Sequence, residues 1–255
     1  MRYLVTILGV IIFMPLVMFK KAFDTNIRHH EIETVNYQNR QPFRLFFISD
    51  IHRRRISDHL IEQVGKLDAV IIGGDIAEKG VPLNRIEENV KKLAQLGPIY
   101  FVWGNNDREV GEHHIRKYIE DVGGKLLENE AVCIEYQNTR LWIAGIDDVS
   151  SGRADIAKSF KNVPENETII FVSHTPFVFN KVKNGFKSDV LLAGHTHGGQ
   201  IRLGKWGYYQ KGSLQKERDG VSLISNGFGT TFVPFRLGAP AECHVITIGK
   251  TQDNV

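Results

Sequence analysis

The stretch Leu45-Phe46-Phe47-Ile48-Ser49-Asp50-Ile51-His52 joins a short apolar run to two ionisable side chains. An apolar run of this length, bounded by polar residues, is typical of a buried strand. Five further runs of the same kind follow along the chain, at residues 69–72, 99–102, 141–144, 169–172 and 190–193. Amphipathic stretches that predict helices follow several of them, at residues 58–67, 84–96 and 112–122. Strands that alternate with helices indicate an α/β layered fold.

Each apolar run ends in polar residues whose side chains are of metal-ligand types. The clusters are Asp50-Ile51-His52, Gly73-Gly74-Asp75, Gly104-Asn105-Asn106-Asp107, Asp147-Asp148, Ser173-His174 and His195-Thr196-His197. Because functional groups gather beyond the carboxyl ends of the strands in an open α/β sheet, we expect five of these clusters to converge. The side chains of an extended i, i+2 pair also point the same way, as in Asp-x-His and His-x-His. We interpret Asp147-Asp148 as a capping or turn pair.

The ligand types favour a pair of divalent cations. Carboxylate, amide oxygen and imidazole together suit manganese, iron or zinc. Two such ions about 3.5–4 Å apart can share a bridging hydroxide that attacks phosphorus, while both ions stabilise the attacking and leaving oxygens. A bridging carboxylate is needed to hold the ions so close, and Gly74 before Asp75 allows the backbone to approach. A single buried Asp or His is more often structural, so the prediction depends on all five clusters occurring in order.

Taken in order, the five clusters resemble the signature of the metallophosphoesterase superfamily, also called calcineurin-like phosphoesterases. That signature is Asp-x-His, Gly-Asp, Gly-Asn-His-Asp/Glu, a single His and Gly-His-x-His, and the resemblance covers residues 43–248. Later segments, at residues 194–200, 224–230 and 236–238, are similar to a YkuE-like, membrane-associated bacterial branch that includes relatives acting on UDP-diacylglucosamine. The resemblance implies a four-layer α/β/β/α sandwich, with two mixed sheets face to face and helices outside.

The resemblance also implies roles for seven side chains. The first metal would be held by Asp50, His52 and His197, the second by Asn105, His174 and His195, and Asp75 would bridge the two. The two divalent ions are expected to be manganese, with iron or zinc as alternatives. His174 and His195 are also expected to help neutralise the charge that develops during the reaction.

One position departs from the family's pattern. Asn106 stands where the family has a histidine that contacts the phosphate and protonates the leaving group. An amide can hydrogen-bond a phosphate oxygen but cannot give up a proton near neutral pH. We therefore expect Asn106 to contact the substrate and the enzyme to expel basic alkoxides poorly. Arg53 and Arg54 directly follow His52. They form a solvated charged face, a phosphate-binding site, for which the planar guanidinium is suited, or a surface that faces anionic lipids.

Residues 3–19 carry no charge and are mostly apolar. Such a stretch can be a cleaved signal peptide, a buried core helix or an uncleaved anchor, and we favour the anchor because no small-x-small cleavage site follows. We thus predict a transmembrane anchor at residues 1–21, a juxtamembrane segment with a possible first strand at 22–42, and a phosphoesterase domain at 43–255. The predicted location is the cell membrane, single-pass, and the flanking positive charges lean toward a cytoplasmic domain.

The composition limits the partners. With 32 basic and 29 acidic residues the net charge is +3, which is too small to indicate a nucleic-acid partner. Two distant cysteines exclude a disulfide framework and a cysteine-based zinc site.

The predicted function is metal-dependent hydrolysis of a phosphodiester or pyrophosphate in a lipid or a nucleotide-sugar lipid, with the anchor holding the enzyme at the bilayer. The alternatives are a phosphomonoesterase, a phosphodiesterase of soluble nucleotides, and a non-catalytic metal-binding scaffold.

Overall fold

Two mixed β-sheets form the centre of the molecule. The computed structural model describes residues 13–217 and 220–251. Within these ranges the first sheet has the strand order β1-β12-β2-β3-β4-β5, and the second has the order β10-β11-β9-β8-β7-β6. The strands are β1 (Asn26–Thr34), β2 (Phe43–Ile48), β3 (Ala69–Ile72), β4 (Ile99–Phe101), β5 (Lys125–Leu126), β6 (Glu130–Tyr136), β7 (Thr139–Gly145), β8 (Thr168–Val172), β9 (Val190–Ala193), β10 (Ser213–Glu217), β11 (Gly220–Ile224) and β12 (Glu242–Lys250).

The central strands of each sheet run parallel. In the first sheet β2 to β5 are parallel, and β12 is antiparallel to β2. In the second sheet β7, β8, β9 and β11 are parallel, whereas the edge strands β6 and β10 are antiparallel to their neighbours. Since parallel strands end on the same side of a sheet, the loops after their carboxyl ends gather along one edge.

Helices cover the outer faces of both sheets. They are α1 (Asp58–Val64), α2 (Leu83–Leu93), α3 (Glu112–Asp121), α4 (Ile156–Phe160) and α5 (Phe179–Gly185), with 3-10 turns at Asp107–Val110, Val149–Ser151, Pro176–Val178 and His197–Gly199. Side chains of α1, α2 and α3 pack with the first sheet in one apolar cluster, and those of α4 and α5 pack with the second sheet in another. The layers therefore follow the order α/β/β/α, which confirms the predicted sandwich.

A third apolar cluster fills the space between the sheets. On β2, Leu45 and Phe47 belong to this inner cluster, whereas Phe46 and Ile48 belong to the cluster under the helices. Successive side chains of a strand point to opposite faces. The run at residues 45–48 is apolar throughout because both faces of this strand are covered.

Helix α1 is shorter than the sequence pattern predicts. The Ser57 hydroxyl accepts a hydrogen bond from the backbone N–H of Leu60 (3.2 Å) and caps its start. The helix ends at Val64 because Gly65 adopts a φ of 68°, which lies outside the helical region. The predicted end at residue 67 therefore overshoots by less than one turn.

The N-terminal prediction is corrected by the structure. Residues 13–22 are helical, and residues 1–12 of the predicted anchor lie outside the described residues. Among residues 13–217 and 220–251, no helix is both long enough and apolar enough to cross a membrane. The predicted transmembrane helix is not found there, and the predicted single-pass location in the cell membrane is wrong on this finding.

The end of this helix is attached to the domain. The backbone N–H of Arg236 donates a hydrogen bond to the carbonyl of Met18 (3.0 Å). The Arg54 guanidinium donates to the carbonyls of Phe23 and Asp24, both at 2.9 Å. Cationic donors stabilise the free carbonyls at a helix C-terminus. These contacts place the segment beside the loops that follow β2 and β11.

We expect Leu192→Ala to lower the free energy of unfolding by about 2–5 kcal/mol, because the side chain is buried between the sheets and its loss leaves a cavity. Leu203→Ala is the matched control, since Leu203 is 69% exposed. Urea unfolding followed by circular dichroism measures both changes. Equal stability of the two variants would contradict the assignment of residue 192 to the inner core.

Candidate metal centre

The seven side chains predicted as metal ligands lie together at the carboxyl ends of the strands. They belong to the loops that follow β2, β3, β4, β8 and β9. They are Asp50, His52, Asp75, Asn105, His174, His195 and His197. Loops from both sheets contribute, so the cluster lies where the two sheets meet along this edge.

One group within the cluster consists of Asp50, His52 and His197. All three side chains are buried, and their possible ligand atoms lie within 4.8 Å of one another. The Nε2 atoms of His52 and His197 are 3.1 Å apart, and His197 Nε2 lies 3.4 Å from Asp50 Oδ1. This is the set that the family resemblance implies for the first metal.

A second group surrounds the side-chain oxygen of Asn105. That oxygen lies 3.2 Å from His174 Nε2 and 2.9 Å from His195 Nδ1. The two ring nitrogens are 3.2 Å from each other. These three side chains are the set implied for the second metal.

Asp75 lies between the two groups. Its Oδ2 atom is 3.3 Å from His174 Nε2 and 3.7 Å from His52 Nε2. A carboxylate in this position can contact an ion in either group, as the bridging role requires. The assignment of each side chain to an ion stays a prediction, and the geometry is compatible with it.

The donor set fits a bound cation. The carbonyl of Gly73 lies 2.9 Å from His174 Nδ1 and can only accept, so that nitrogen carries the hydrogen. In a neutral ring, Nε2 then presents a lone pair to two further acceptors, Asp75 and Asn105. Burial by itself would lower the pKa of His174, yet the Asp75 carboxylate outweighs burial and raises it to about 10. This position therefore attracts a positive charge, which a divalent ion can supply in place of a proton.

The net pKa shift is opposite at His197, where burial outweighs the nearby carboxylates. Burial lowers the pKa of that imidazole to about 3, so the ring is neutral near neutral pH. Neutral imidazole is the form that coordinates metal ions.

The backbone holds these side chains in strained conformations. Five of the seven have positive φ angles: Asp50 (55°), His52 (49°), Asp75 (52°), His195 (69°) and His197 (49°). Residues other than glycine seldom adopt this region, and each such residue costs roughly 1–3 kcal/mol. Gly74 is needed for packing as well, because a Cβ at this position would lie 2.7 Å from His174 Nδ1.

Asp107 positions the loops without belonging to the predicted ligand set. Its carboxylate is fully buried and accepts hydrogen bonds from the backbone N–H groups of Asp75 (2.9 Å), Gly104 (2.7 Å) and Ala77 (3.3 Å). It thereby joins the loop after β3 to the loop after β4. The sequence pattern included this residue in a cluster but gave no sign of its role.

Arg236 is a second side chain that sequence reasoning did not assign. It is completely buried, and its guanidinium donates to the carbonyls of Asn226 (2.7 Å), Gly227 (3.1 Å) and Ala239 (3.0 Å). One of its nitrogens lies 3.2 Å from His197 Nδ1. Burial lowers its pKa to about 10, so it keeps its charge near neutral pH. It fastens the loops around His197.

Asn106 lies at the open side of the cluster, where it is half-buried. Its backbone N–H donates to Asp75 Oδ1 (2.9 Å), and its side-chain amide donates to Asp75 Oδ2 (2.8 Å). The structure thus places it against the carboxylate between the two groups. Contact with the substrate stays a prediction for this residue.

The two arginines after His52 have different surroundings. Arg54 donates to the carbonyl of Phe228 (2.7 Å) as well as to the end of the N-terminal helix, and it stacks on the Phe228 ring. Arg53 is exposed and forms an ion pair with Glu78. Both guanidinium groups are therefore engaged within the protein, and phosphate binding stays a prediction.

The sandwich and its buried donors define a class of protein. Two sheets that bring imidazole, carboxylate and amide donors together at the ends of their strands are what a two-metal hydrolase requires. The model of the calcineurin-like phosphoesterase family matches residues 43–199. The chain therefore belongs to that family, and it is a metal-dependent phosphoester hydrolase.

Several relatives are similar over most of the chain. The protein YpbG of Bacillus subtilis (strain 168) is 42% identical over 234 residues, which are 91% of this chain and 90% of that protein. The phosphodiesterase YaeI of Escherichia coli (strain K12) is 31% identical over 180 residues, 65% of this chain and 64% of that protein. The metallophosphoesterase YkuE of Bacillus subtilis (strain 168) is 24% identical and covers 73% of this chain and 70% of that protein.

A solved structure supports the fold. The 5'-nucleotidase precursor of Thermus thermophilus superposes with a TM-score of 0.51 at 12% identity, covering 81% of this chain. This chain spans 55% of the length of that nucleotidase. At such low identity the likeness concerns the fold alone.

We expect Asp75→Asn to abolish hydrolysis and to lower metal affinity by more than about 100-fold. Loss of a residue that only supports a metal ligand costs up to about 100-fold, and loss of a bridging ligand should cost more. The reason is that Asp75 is the carboxylate within reach of both groups. Metal analysis after dialysis and an assay with a chromogenic diester measure the two effects. Asp58→Asn, at an exposed position, is the control. Two ions per chain and near-normal turnover in Asp75→Asn would refute the bridging role.

Proposed function

We propose that this chain hydrolyses phosphodiester or pyrophosphate bonds in a substrate with an apolar part, namely a lipid or a nucleotide-sugar lipid. The observation that carries the proposal is the position of the seven-residue cluster directly beside exposed aromatic side chains. Two divalent ions, with manganese as the expected species, would supply a nucleophile at neutral pH and positive charge against the transition state.

The open side of the cluster indicates where a phosphate group would enter. Asp50, His52, Asp75, His174 and His197 are buried, whereas Asn105, Asn106 and His195 are partly exposed. A phosphate that approaches from this side meets the amide of Asn106 and the imidazole of His195 first. These side chains can orient its oxygens by hydrogen bonding.

Exposed apolar side chains continue from this opening. The ring of Phe177 stands edge-on to His195, with 6.0 Å between centroids, and lies 6.3 Å from Tyr209. In the loops after β9 and β11, Trp206 is 84% exposed and Phe232 is 100% exposed. We call Phe177, Leu203, Trp206, Tyr208 and Phe232 the apolar rim. Large exposed aromatic side chains grouped at a site mark a binding surface for apolar groups.

Two of the three loops that form the apolar rim, those after β9 and β11, are joined to each other. The side-chain amide of Gln200 donates to the carbonyls of Thr231 (3.2 Å) and Val233 (2.9 Å), and its oxygen accepts from the Thr231 N–H (3.0 Å). These hydrogen bonds connect the start of the loop that carries Trp206 to the loop that carries Phe232. This connection supports binding of one extended apolar group across both loops.

The nature of Asn106 supports a pyrophosphate, or a diester with an acidic leaving group, over a phosphomonoester of an ordinary alcohol. A general acid is worth about 10²–10⁴-fold when the leaving group must be protonated, and little when it leaves as a stable anion. An amide cannot supply that proton, whereas a phosphate leaving group does not require it. The similarity to a relative named as a phosphodiesterase agrees with this choice.

We expect Asn106→His to raise the rate on diesters of poor leaving groups by about 10-fold or more and to change the rate on nitrophenyl esters little. The measurement is the dependence of kcat/KM on the pKa of the leaving group in both proteins. Asn106→Gln, which keeps an amide, is the control. If the wild type already shows a flat dependence that neither substitution alters, another group supplies the proton and the argument from Asn106 fails.

We expect the double substitution Trp206→Ser and Phe232→Ser to lower kcat/KM about 10-fold on a long-chain phosphodiester, because burial of one aromatic side chain is worth roughly 1.5–3 kcal/mol. Activity on a nitrophenyl diester without an acyl chain should not change. Val35→Ser is the control: Val35 is exposed, and its neighbour Thr34 bonds Asp189 at the opposite edge of the sheets. An equal loss on both substrates would argue against an apolar substrate.

A further inference from the structure

Glu78 lies three residues after Asp75, on the far side of His52 from the centre of the cluster. Its Oε2 atom is 3.0 Å from Nδ1 of His52, and only 14% of the Glu78 side chain is exposed. The His52 side chain is completely buried. The two atoms are close, but their geometry is too bent for an aligned hydrogen bond, so the contact is that of an ion pair.

A carboxylate in this position selects one form of the imidazole. An ionised carboxylate can only accept hydrogen bonds, so the nitrogen that faces it carries the hydrogen. For His52 this leaves the lone pair on Nε2, which points toward His197 (3.1 Å) and Asp75 (3.7 Å). A histidine whose second nitrogen donates to a carboxylate is oriented as a metal ligand and is also more basic.

His174 provides a comparison within the same cluster. The carbonyl of Gly73 fixes the ring of His174 in the same sense, with Nδ1 protonated and Nε2 directed inward. That partner belongs to the backbone and does not change when a side chain is replaced. His52 has a side-chain partner instead, so its orientation depends on one replaceable residue.

Arg53 extends the contact to the surface. Its guanidinium pairs with Oε1, the other carboxylate oxygen of Glu78, and donates to the carbonyl of Lys79 (3.2 Å). Arg53, Glu78 and His52 therefore form a chain from solvent to the buried cluster. The two oxygens of Glu78 have separate partners, which restrains the carboxylate in one orientation.

We propose that Glu78 is a positioning residue that holds His52 in its metal-binding form, and that Arg53 in turn holds Glu78. The proposal rests on the two-metal function proposed above. It assigns Arg53 a role within the protein instead of contact with substrate phosphate.

The test is manganese binding to metal-free protein, followed by titration calorimetry. We expect Glu78→Ala to weaken one of two manganese sites by about 10–100-fold and to leave the other near its wild-type affinity, because loss of an outer-shell partner has this effect. Glu78→Gln, which keeps the shape and one acceptor oxygen, should show a smaller loss. Arg53→Gln should weaken the same site by less than about 10-fold.

A second arginine–glutamate pair supplies the controls. Arg55 and Glu88 form an exposed ion pair at 2.6 Å with no imidazole beside it. Glu88→Ala and Arg55→Gln should leave both manganese affinities unchanged. Thermal unfolding of each metal-free variant separates a loss of binding from a loss of folding, and Glu78→Gln is the variant to use if Glu78→Ala does not fold.

The outcomes distinguish the two proposals. If the wild type does not bind manganese, zinc or iron(II) in the same titration, the proposed function fails. If the wild type binds two ions and both Glu78 variants retain wild-type affinity at both sites, the role of Glu78 is refuted while the proposed function stands. If both sites weaken equally, Glu78 supports the cluster as a whole and does not position His52 specifically, which also overturns the proposal.

Discussion

Asp50 and Asp75 are buried at the ends of β2 and β3, and their closest oxygens lie within 4.8 Å of each other. Two negative charges so near one another repel, and burial removes the water that would solvate them. The protein supplies one fixed positive charge nearby, the buried guanidinium of Arg236. The rest of the balancing charge can come from a proton on His174, whose pKa is raised to about 10, or from bound cations, which the imidazoles coordinate in their neutral form. The remaining features of the site follow from this requirement.

The strained backbone is one of these features. Five loop residues keep positive φ angles, and that cost must be met by contacts elsewhere. Asp107 provides such contacts by binding backbone N–H groups of the loops after β3 and β4. Arg236 binds several carbonyls of the loop between β11 and β12 and also the carbonyl of His197 (3.5 Å), in the loop after β9. An ion that binds only the folded state raises the free energy of unfolding by RT ln(1 + [L]/Kd), where [L] is the free ion concentration and Kd its dissociation constant. Folding and the assembly of the metal centre are therefore coupled in this domain.

The sequence predicted the parts of the fold that depend on local pattern. The apolar runs at residues 45–48, 69–72 and 190–193 are strands, and each delivers its ligands to the same edge. Strand β6 escaped prediction because its residues are only partly buried and do not form a continuous apolar run. Helices α4 and α5 are five and seven residues long, which is too short for a clear helical period.

The roles of Asp107, Glu78 and Arg236 could not be predicted for a different reason. Each contacts backbone groups or a ring from a part of the chain that is distant in sequence. Rules based on residue spacing do not predict such contacts. Arg236 was visible only as a member of a tail motif. The N-terminal prediction was based on the apolar, uncharged residues 3–19 and on the missing cleavage site, neither of which reports contacts with the rest of the chain. Arg236 contacts Met18, and Arg54 contacts Phe23 and Asp24 just after the helix.

Strand β1 pairs in parallel with β12, from Asn26 beside Glu242 to Thr34 beside Lys250, and β12 lies between β1 and β2. Strand β1 therefore cannot pair within the sheet until β12 has been synthesised and has joined β2. During synthesis on the ribosome, β1 must wait while most of the chain emerges. Contacts between such distant parts of a chain form slowly, because a long loop must close first. Until β12 is inserted, the edge of β2 stays unpaired, and the nascent chain exposes a strand edge to its neighbours.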